Sequence, residues 1–357
     1  MMCAMGTAVR LRRAAAVGAV LLATVLAGCG GNSTQSHSAT AGSPSPGTQA
    51  PATPPLTAAR PPVVVARGIP FPDNVAFDSH GGLWVVSATL SRAPSQGVWY
   101  VARGGRPRHV GLTAATALLW RGNQLYEADI TDPGTGRVSL LKDFNGKRFA
   151  RRRVLVDHVA VGSRTIGSIV QGPEGRLFIG TGAVGDQGPA GRILSFPPSG
   201  GTPTVAATGL RTDLGLAFWG RRLLITVNGP DVAAKSPDEL QSFEPGGRVV
   251  DFGFPKCYGQ GGPACAGFPA PLVKFRSHST PEGVVVKHDV AYVADYGSSL
   301  PKAAADTEIV RVDLKTGHVN VFWRSPVKGD LIGLALGPDG NLYAPLTVSG
   351  KVVRFDL

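Results

Sequence analysis

A short apolar segment that begins with a small or polar residue recurs six times along the chain, about every 50 residues. The six copies lie at 74–77, 117–120, 168–171, 215–218, 283–286 and 333–336. Each copy is followed by a turn and by further strand-like segments, so that the strands come in groups of four. This pattern is typical of a β-propeller, in which each group forms one blade. It predicts an all-β fold, a six-bladed β-propeller of four-stranded blades, and it disfavours a β-sandwich.

The last repeat predicts how the ring of blades closes. It ends after three strands, at the C-terminal segment 351–357. A Val-rich segment at 62–66 precedes the first repeat and belongs to no other group of four. We predict that this N-terminal segment supplies the fourth strand of the last blade, because a closed ring leaves no open sheet edge.

The N-terminus predicts export. Three arginines precede an apolar run at 14–26, which is short for a membrane span of about 20 residues but suits a signal peptide. Leu-Ala-Gly then precedes Cys29, an order that resembles a bacterial lipobox. We predict a lipoprotein signal peptide at 1–28 and an extracytoplasmic protein anchored to the bacterial cell membrane by lipidated Cys29. The alternative is an ordinary signal peptide with an incidental cysteine.

Composition divides the rest of the chain. Residues 29–61 are rich in Ser, Thr, Pro, Ala and Gly and cannot bury a core, so they predict a flexible tether to a propeller at 62–357. The net charge of +12 suits an anionic envelope surface, although basic loops that keep the protein soluble explain it more simply. Predicted export and the lack of a nucleic-acid-binding motif disfavour nucleic acid as a partner.

The two cysteines outside the leader predict a disulfide. Cys257 and Cys265 form an even pair in a compartment that is predicted to be oxidising. The bond would close a short Gly-rich loop. A zinc site is disfavoured because no second Cys/His pair lies nearby at ligand spacing.

The segment 209–283 carries a family resemblance. It contains GLRTDLGLAF, NGPD, DELQSFEPGG, FPKCYG and HSTPEG, and GPEGRLFIGTGAVGDQG precedes it. In these motifs the chain resembles the soluble quinoprotein sugar dehydrogenases, especially the sorbosone dehydrogenase-like group. The resemblance implies a six-bladed propeller that binds pyrroloquinoline quinone (PQQ) and calcium and oxidises an aldose or related carbohydrate.

The resemblance also implies site residues. Calcium would be bound by the carbonyl oxygens of Gly229 and Pro230, with Asp231 adjacent, although Gly-Pro-Asp is also ordinary turn chemistry. The candidates for the cofactor site are Arg211, which the family motif retains, and Arg164, Asp213 and Tyr296.

The chain departs from the family at the catalytic base. The family's histidine falls on Arg164, and an arginine cannot accept a proton because it stays charged. His158 is a weak substitute, since a surface histidine on an outer strand is the simpler interpretation. Asp213 and Glu282 are the other candidates for the missing base.

The chain also departs from the family around the quinone. The family's Arg-Asn-Pro-Gln segment keeps only Arg211. The arginines that grip the quinone's carboxylates fall on Asp330 and Ile332, so binding of the quinone should weaken.

These observations leave three functions open. The first is a lipid-anchored, PQQ- and calcium-dependent dehydrogenase, whose redox partner the sequence does not identify. The second is a catalytically degenerate envelope lipoprotein that binds a carbohydrate, another small polar ligand or a protein in a cleft lined by Arg164, Asp213, Asp231, His278 and Tyr296. The third is a metal-dependent lactonase-type propeller, for which the inward candidates are Asn74, Glu127, Asn228 and Asp295.

Overall fold

A computed structural model describes residues 60–87, 97–112, 114–162, 165–231, 236–298 and 305–357. All of these belong to the unit Leu56–Leu357. The predicted signal peptide, most of the predicted tether and Cys29 lie outside the described residues, and so does Arg164. No described segment forms a helix with the length and apolar character that a membrane span requires.

The described chain is built of strands. The first thirteen are β1 (Val63–Arg67), β2 (Pro72–Phe77), β3 (Leu83–Ser87), β4 (Gly97–Val101), β5 (Arg108–His109), β6 (Ala115–Arg121), β7 (Gln124–Asp132), β8 (Thr135–Phe144), β9 (Phe149–Ala160), β10 (Ile169–Gln171), β11 (Leu177–Gly180), β12 (Gly191–Phe196) and β13 (Thr204–Leu210). The next twelve are β14 (Thr212–Trp219), β15 (Arg222–Asn228), β16 (Pro237–Phe243), β17 (Val250–Asp251), β18 (Val273–Ser277), β19 (Pro281–Lys287), β20 (Val290–Asp295), β21 (Glu308–Asp313), β22 (Val319–Arg324), β23 (Ala335–Leu336), β24 (Leu342–Leu346) and β25 (Lys351–Phe355).

The strands form six sheets, which are the blades of a propeller, as the repeat predicts. In chain order the sheets are β2 to β5, β6 to β9, β10 to β13, then β14, β15, β16 and β18, then β19 to β22, and last β23, β24, β25 and β1. Blade 3 differs from the prediction because it gains a fifth strand. The short strand β17, which comes from the long connection inside blade 4, pairs in parallel with β13.

The ring closes as predicted. Strand β1 pairs antiparallel with β25, with Val64 opposite Val353, so the N-terminal strand is the outermost strand of the last blade. The Thr347 hydroxyl of this blade also donates a hydrogen bond of 2.8 Å to the Pro72 carbonyl of blade 1. Both ends of the described chain therefore belong to one sheet, which protects its edge.

The hydrophobic core lies between neighbouring blades. Six clusters of buried apolar side chains correspond to the six interfaces between blades. Between blades 1 and 2, the fully buried Trp84 contacts Trp120 and Phe144 at ring-centroid distances of 5.0 and 4.7 Å. This packing holds the inner strands in a ring around a central channel.

The predicted disulfide is present. Cys257 and Cys265 are joined in the connection between β16 and β18, with Cα atoms 4.8 Å apart, and a single 3-10 turn at Pro263–Cys265 lies inside it. The disulfide therefore stabilises the longest insertion in the propeller.

Candidate functional site

Four inner strands share an irregularity close to where they begin. Their pairing with the next strand shifts between Pro72 and Asn74, Ala115 and Ala117, Asp213 and Leu216, and Pro281 and Val284. Such a β-bulge turns a side chain away from the regular alternation of the strand. Asp73, Thr116 and Glu282 lie at three of these bulges, and all three line the central channel.

The small residue that opens most repeats is explained by the close approach of neighbouring inner strands. A Cβ atom at Gly215 would clash with the Glu282 carbonyl oxygen of the next blade. A Cβ atom at Gly283 would lie 2.8 Å from the Ile332 carbonyl oxygen, again in the next blade. Only glycine permits backbones to approach this closely. The glycines thus set how tightly the inner strands surround the channel.

The channel contains a cavity of about 300 Å³. It extends along the inner strands, from Asp73 and Glu282 near their first residues to Phe77 and Trp120 near their last. Most of the lining is apolar, which is usual for a binding cavity. Asp73 and Glu282 are the acidic side chains among its described lining, so negative charge is concentrated at one end.

Four acidic side chains surround that end of the channel. Glu282, Asp238 and Asp295 are buried, and Asp73, which lines the cavity, is partly buried. Burial raises the pKa of Asp73 to about 7 and also raises the pKa of Asp238. Burial, and next repulsion from Asp73, raises the pKa of Glu282 well above its ordinary value. Burial, and next repulsion from Glu308, does the same for the pKa of Asp295.

Asp238 organises the loops around the cluster. Its Oδ1 accepts a hydrogen bond of 2.7 Å from the Gly229 N–H, and its Oδ2 accepts one of 2.7 Å from the Thr280 N–H. The Ser279 hydroxyl adds a longer contact of 3.4 Å. Because both oxygens are satisfied, Asp238 connects the loop after β15 to the start of β19.

Other oxygens of the cluster lack partners. Among the described residues no hydrogen bond reaches Glu282 Oε2, Asp295 Oδ1 or Asn228 Oδ1. Asn228 is the last residue of β15, is 7% exposed and hydrogen-bonds the Glu282 carboxylate through its side chain. Buried polar atoms are normally paired, so three unpaired oxygens in one place require an explanation.

Arg211 is neutralised by two carboxylates. Its Nε lies 2.8 Å from Asp186 Oδ1, and its terminal nitrogen lies 2.9 Å from Asp231 Oδ2. The Arg211 side chain is 12% exposed, whereas that of Asp231 is 63% exposed. Arg211 therefore connects the blade 3 loop to the Gly-Pro-Asp loop and presents no spare charge to a ligand.

Solved structures share this architecture. A Trichoderma reesei protein of Carbohydrate-Active Enzymes Family AA12 has a TM-score of 0.67, covers 85% of this chain and 100% of its own, and is 17% identical. A putative oxidoreductase (glucose dehydrogenase) from Thermus thermophilus has a TM-score of 0.63, covers 83% and 99%, and is 21% identical. The chain has the fold of glucose dehydrogenases. At these identities the similarity concerns the fold alone.

Propellers that are not described as dehydrogenases are also structurally similar to this chain. Regucalcin from Agrobacterium tumefaciens, a calcium-binding protein, has a TM-score of 0.55, covers 85% of this chain and 96% of its own, and is 16% identical. Neither a protein-family model nor a curated protein sequence matches the chain. Function must therefore be argued from the site.

Asp213 lies inside the protein beside the blade 3 strands. It is buried, and its Oδ1 accepts a hydrogen bond from the Gly182 N–H, while Oδ2 has no partner among the described residues. A Cβ atom at Gly180 would lie 2.7 Å from Asp213 Oδ2, so only glycine fits there. Burial raises the pKa of Asp213 to about 8. The side chain is thus a buried acid that titrates near neutral pH.

At the two positions where the resemblance places arginines that bind the carboxylates of the quinone, this chain has residues that stabilise the fold. Asp330 is buried and accepts hydrogen bonds from the Ser349 N–H, at 2.8 Å, and from the Ser349 hydroxyl, at 2.5 Å. Ile332 is buried beside the channel cavity. Neither offers a positive charge.

The remaining residues predicted for the site, His158, His278 and Tyr296, do not lie together in one place. The His158 side chain is 87% exposed on β9, the outermost strand of blade 2. His278 is buried next to Asp238, and Tyr296 follows β20, where its carbonyl accepts a 2.6 Å hydrogen bond from the Thr307 hydroxyl. The structure therefore brings His278 to the acidic cluster but leaves His158 on the outside.

The described residues do not fit PQQ. The quinone carries three carboxylates, which require unpaired cations. Arg211 already has two acidic partners, and Asp330 and Ile332 occupy the gripping positions. Within the described part of the chain, none of these positions offers an unpaired cation, so no chemical step is derived through the quinone.

Sequence reasoning missed Asp73. It named Glu282 as a candidate base and Asn228 and Asp295 as inward residues, but not the acid that lies with them. The signal was present, because Asp73 and Glu282 each directly precede the small residue that opens a repeat. The position before that residue is the bulge position, and its side chain faces the channel.

Proposed function

We propose that this protein is an exported, lipid-anchored propeller that binds a neutral carbohydrate on a dehydrogenase scaffold and no longer uses PQQ. The observation that carries the proposal is the pairing of Arg211 with Asp186 and Asp231, which removes the one cofactor arginine retained in its motif. Acids at the end of the channel would add repulsion toward the quinone.

The acidic site suits a neutral, hydroxyl-rich ligand. Carboxylates and carbonyl groups accept hydrogen bonds from hydroxyl groups, and a neutral ligand brings no charge for them to repel. His278 and Tyr296 are further polar groups near the loops at this end. Similarity to proteins described as glucose dehydrogenase and as a Carbohydrate-Active Enzymes family supports carbohydrate as the ligand class.

Calorimetric titration of the full chain tests this proposal. We expect no heat of binding from PQQ at high micromolar concentration, in excess calcium or in EDTA, and saturable binding of at least one neutral sugar from a panel. Tyr296→Ala should weaken sugar binding, whereas His158→Ala, on the exposed outer strand, should not. Tight, calcium-dependent binding of PQQ would overturn the proposal.

One observation favours retained oxidoreductase activity as a second candidate. Asp213 is a buried acid with a pKa near 8 and an unpartnered oxygen, and a general base functions best with a pKa near the working pH. In this alternative, Asp213 would accept the proton of the sugar hydroxyl, and the hydride would pass to an oxidant supplied from outside the chain. Sugar-dependent reduction of an artificial electron acceptor with added PQQ and calcium, abolished by Asp213→Asn, would support it.

Membrane attachment is a separate part of the proposal. It rests on the lipobox-like sequence that ends at Cys29. We expect metabolic labelling with a fatty-acid analogue to modify the full chain and Cys29→Ser to remove both the label and the membrane association. Retention of Cys29→Ser in the membrane fraction would count against the anchor.

A further inference from the structure

The acidic cluster at the channel end has too few counter-charges. Arg276 lies within electrostatic range of Asp295, and His278 lies within range of Asp238. The charged groups that act most strongly on Glu282, by contrast, are other acids. Burying a charged group without a partner costs far more than burying a paired one. The described residues therefore leave Glu282 among acidic side chains, without a cation acting strongly on it.

A second observation is independent of the acids. The Asn228 side chain hydrogen-bonds Glu282, yet its Oδ1 has no partner among the described residues although Asn228 is 7% exposed. A neutral amide oxygen does not lose its partner because of charge repulsion. Its position beside the unpartnered Glu282 Oε2 indicates that both oxygens serve a group outside the chain.

We propose that the channel end is a calcium site in which Glu282 and Asn228 are the side-chain ligands. Asp73 and Asp295 supply the additional negative charge that favours a divalent cation. These residues come from blades 1, 4 and 5, so one ion would join three blades at this end of the channel.

The chemistry of the donors selects the ion. All of them are carboxylate or amide oxygens, the ligands of hard cations, with no sulfur to favour zinc. Among the described residues no three Asp, Glu, His or Cys side chains meet at metal-ligand spacing. The ion must therefore complete its coordination with the Asn228 amide and with water or backbone oxygens. Calcium accepts such mixed, irregular sets of six to eight oxygens, whereas magnesium requires a strict octahedron.

This site differs from the one that the Gly-Pro-Asp loop suggests. Asp231 is engaged by Arg211, and the Gly229 N–H is directed to Asp238, so that loop is already tied to the protein. The calcium site also does not depend on the proposed carbohydrate, because its donors belong to the protein alone.

Calorimetry of the EDTA-treated full chain with CaCl₂ and then MgCl₂ tests the site. We expect one calcium per chain and weaker binding of magnesium. Glu282→Gln should weaken calcium binding by on the order of tenfold or more, because charge count sets the affinity of such sites. Glu127→Gln, which replaces a buried acid of blade 2, and Asp231→Asn, which changes the loop, should leave it unchanged.

Thermal unfolding provides a second measurement, which detects calcium binding even where the binding is too weak for calorimetry. Calcium should raise the melting temperature of the wild type, raise that of Asn228→Asp further, and leave that of Glu282→Gln unchanged. The proposal fails if calcium has no effect up to millimolar concentration, or if Glu282→Gln responds as the wild type does. A response lost in Asp231→Asn alone would place the ion in the loop instead and would equally overturn it.

Discussion

Blade 2 and the channel end both bury carboxylates, but only blade 2 supplies the cations to match. Glu127 and Asp129 are each 1% exposed. Arg137 lies 2.6 Å from Asp129, and Arg152 lies 3.1 Å from Glu127 and also contacts Asp129. Two acids therefore meet two arginines within a single sheet.

At the channel end, the charged groups that act most strongly on Glu282 are the acids Asp73, Asp238 and Asp295. The blade 2 network contains its own counter-charges, although Glu127 Oε2, like Glu282 Oε2, has no hydrogen bond among the described residues. A cluster without counter-charges needs them from outside. Perturbed acids beside a cavity are the usual mark of a functional site. The contrast explains why Glu127, although buried and acidic, is assigned to structure and Glu282 to binding.

Breaking the blade 2 network should give the largest effect. We expect Arg152→Leu to lower the free energy of unfolding at pH 8 by about 3 kcal/mol, because it leaves Glu127 buried without its cation. Chemical denaturation measures the change. Arg151→Leu is the matched control, since Arg151 pairs with Asp143 at the exposed surface and its loss should cost far less. Equal losses in the two variants would contradict the distinction.

The pH dependence of blade 2 should be the next largest effect. Burial outweighs the attraction of Arg152 and raises the pKa of Glu127 from 4.5 to about 7. The folded protein thus binds this proton more tightly than the unfolded chain does. The stabilisation that results is complete below pH 4.5 and is lost as the pH rises to 7.

The free energy of unfolding of the wild type should therefore fall by about 2 kcal/mol relative to Glu127→Gln between pH 4.5 and 8. This is less than the full shift would give, because relaxation of the protein and entry of water around an ionised buried carboxylate reduce its cost. Urea denaturation of both proteins across this range measures the difference. Parallel curves would show that Glu127 does not titrate in this window.

Two double-mutant cycles compare the regions directly. In EDTA at pH 8, the pair Glu127→Gln and Arg152→Leu should show an attractive coupling of about 1 kcal/mol. The pair Asp73→Asn and Glu282→Gln should show a repulsive coupling of similar size, because Asp73 raises the cost of ionising Glu282. Chemical denaturation of the wild type, the four single variants and the two double variants gives the free energies of unfolding from which the couplings are calculated. Couplings of the same sign would contradict the difference between blade 2 and the channel end.

The fold could be predicted from the sequence because its signal is repeated. Six copies of one apolar segment, each with its turn, predict six blades, and the unpaired segment at 62–66 predicts how they close. The fifth strand of blade 3 could not be predicted. Strand β17 is only two residues long, and it pairs with a blade that is not its own.

The site was less predictable because its residues come from separate blades. The motif at 209–283 identifies Arg211 and Asp231 but not that they pair with each other. Asp73 carries no motif, and its proximity to Glu282 follows from bulges in strands that are distant in sequence. Local patterns report strand and turn, whereas charge balance at the channel depends on the closed ring.

The smallest expected effect concerns Arg211, which resembles blade 2 in being matched by acids. Because the Asp231 side chain is 63% exposed, Asp231→Asn should change the free energy of unfolding by only about 0.5 kcal/mol. Asp186 is more buried, so Asp186→Asn should cost about 1 kcal/mol.

Calorimetric titration of the double variant Asp186→Asn/Asp231→Asn with PQQ tests whether the pairing of Arg211 or the acids at the channel end exclude the quinone. A gain of binding that the wild type lacks would mean that the pairing of Arg211 excludes the quinone. Continued absence of binding would assign the exclusion to the acids at the channel end.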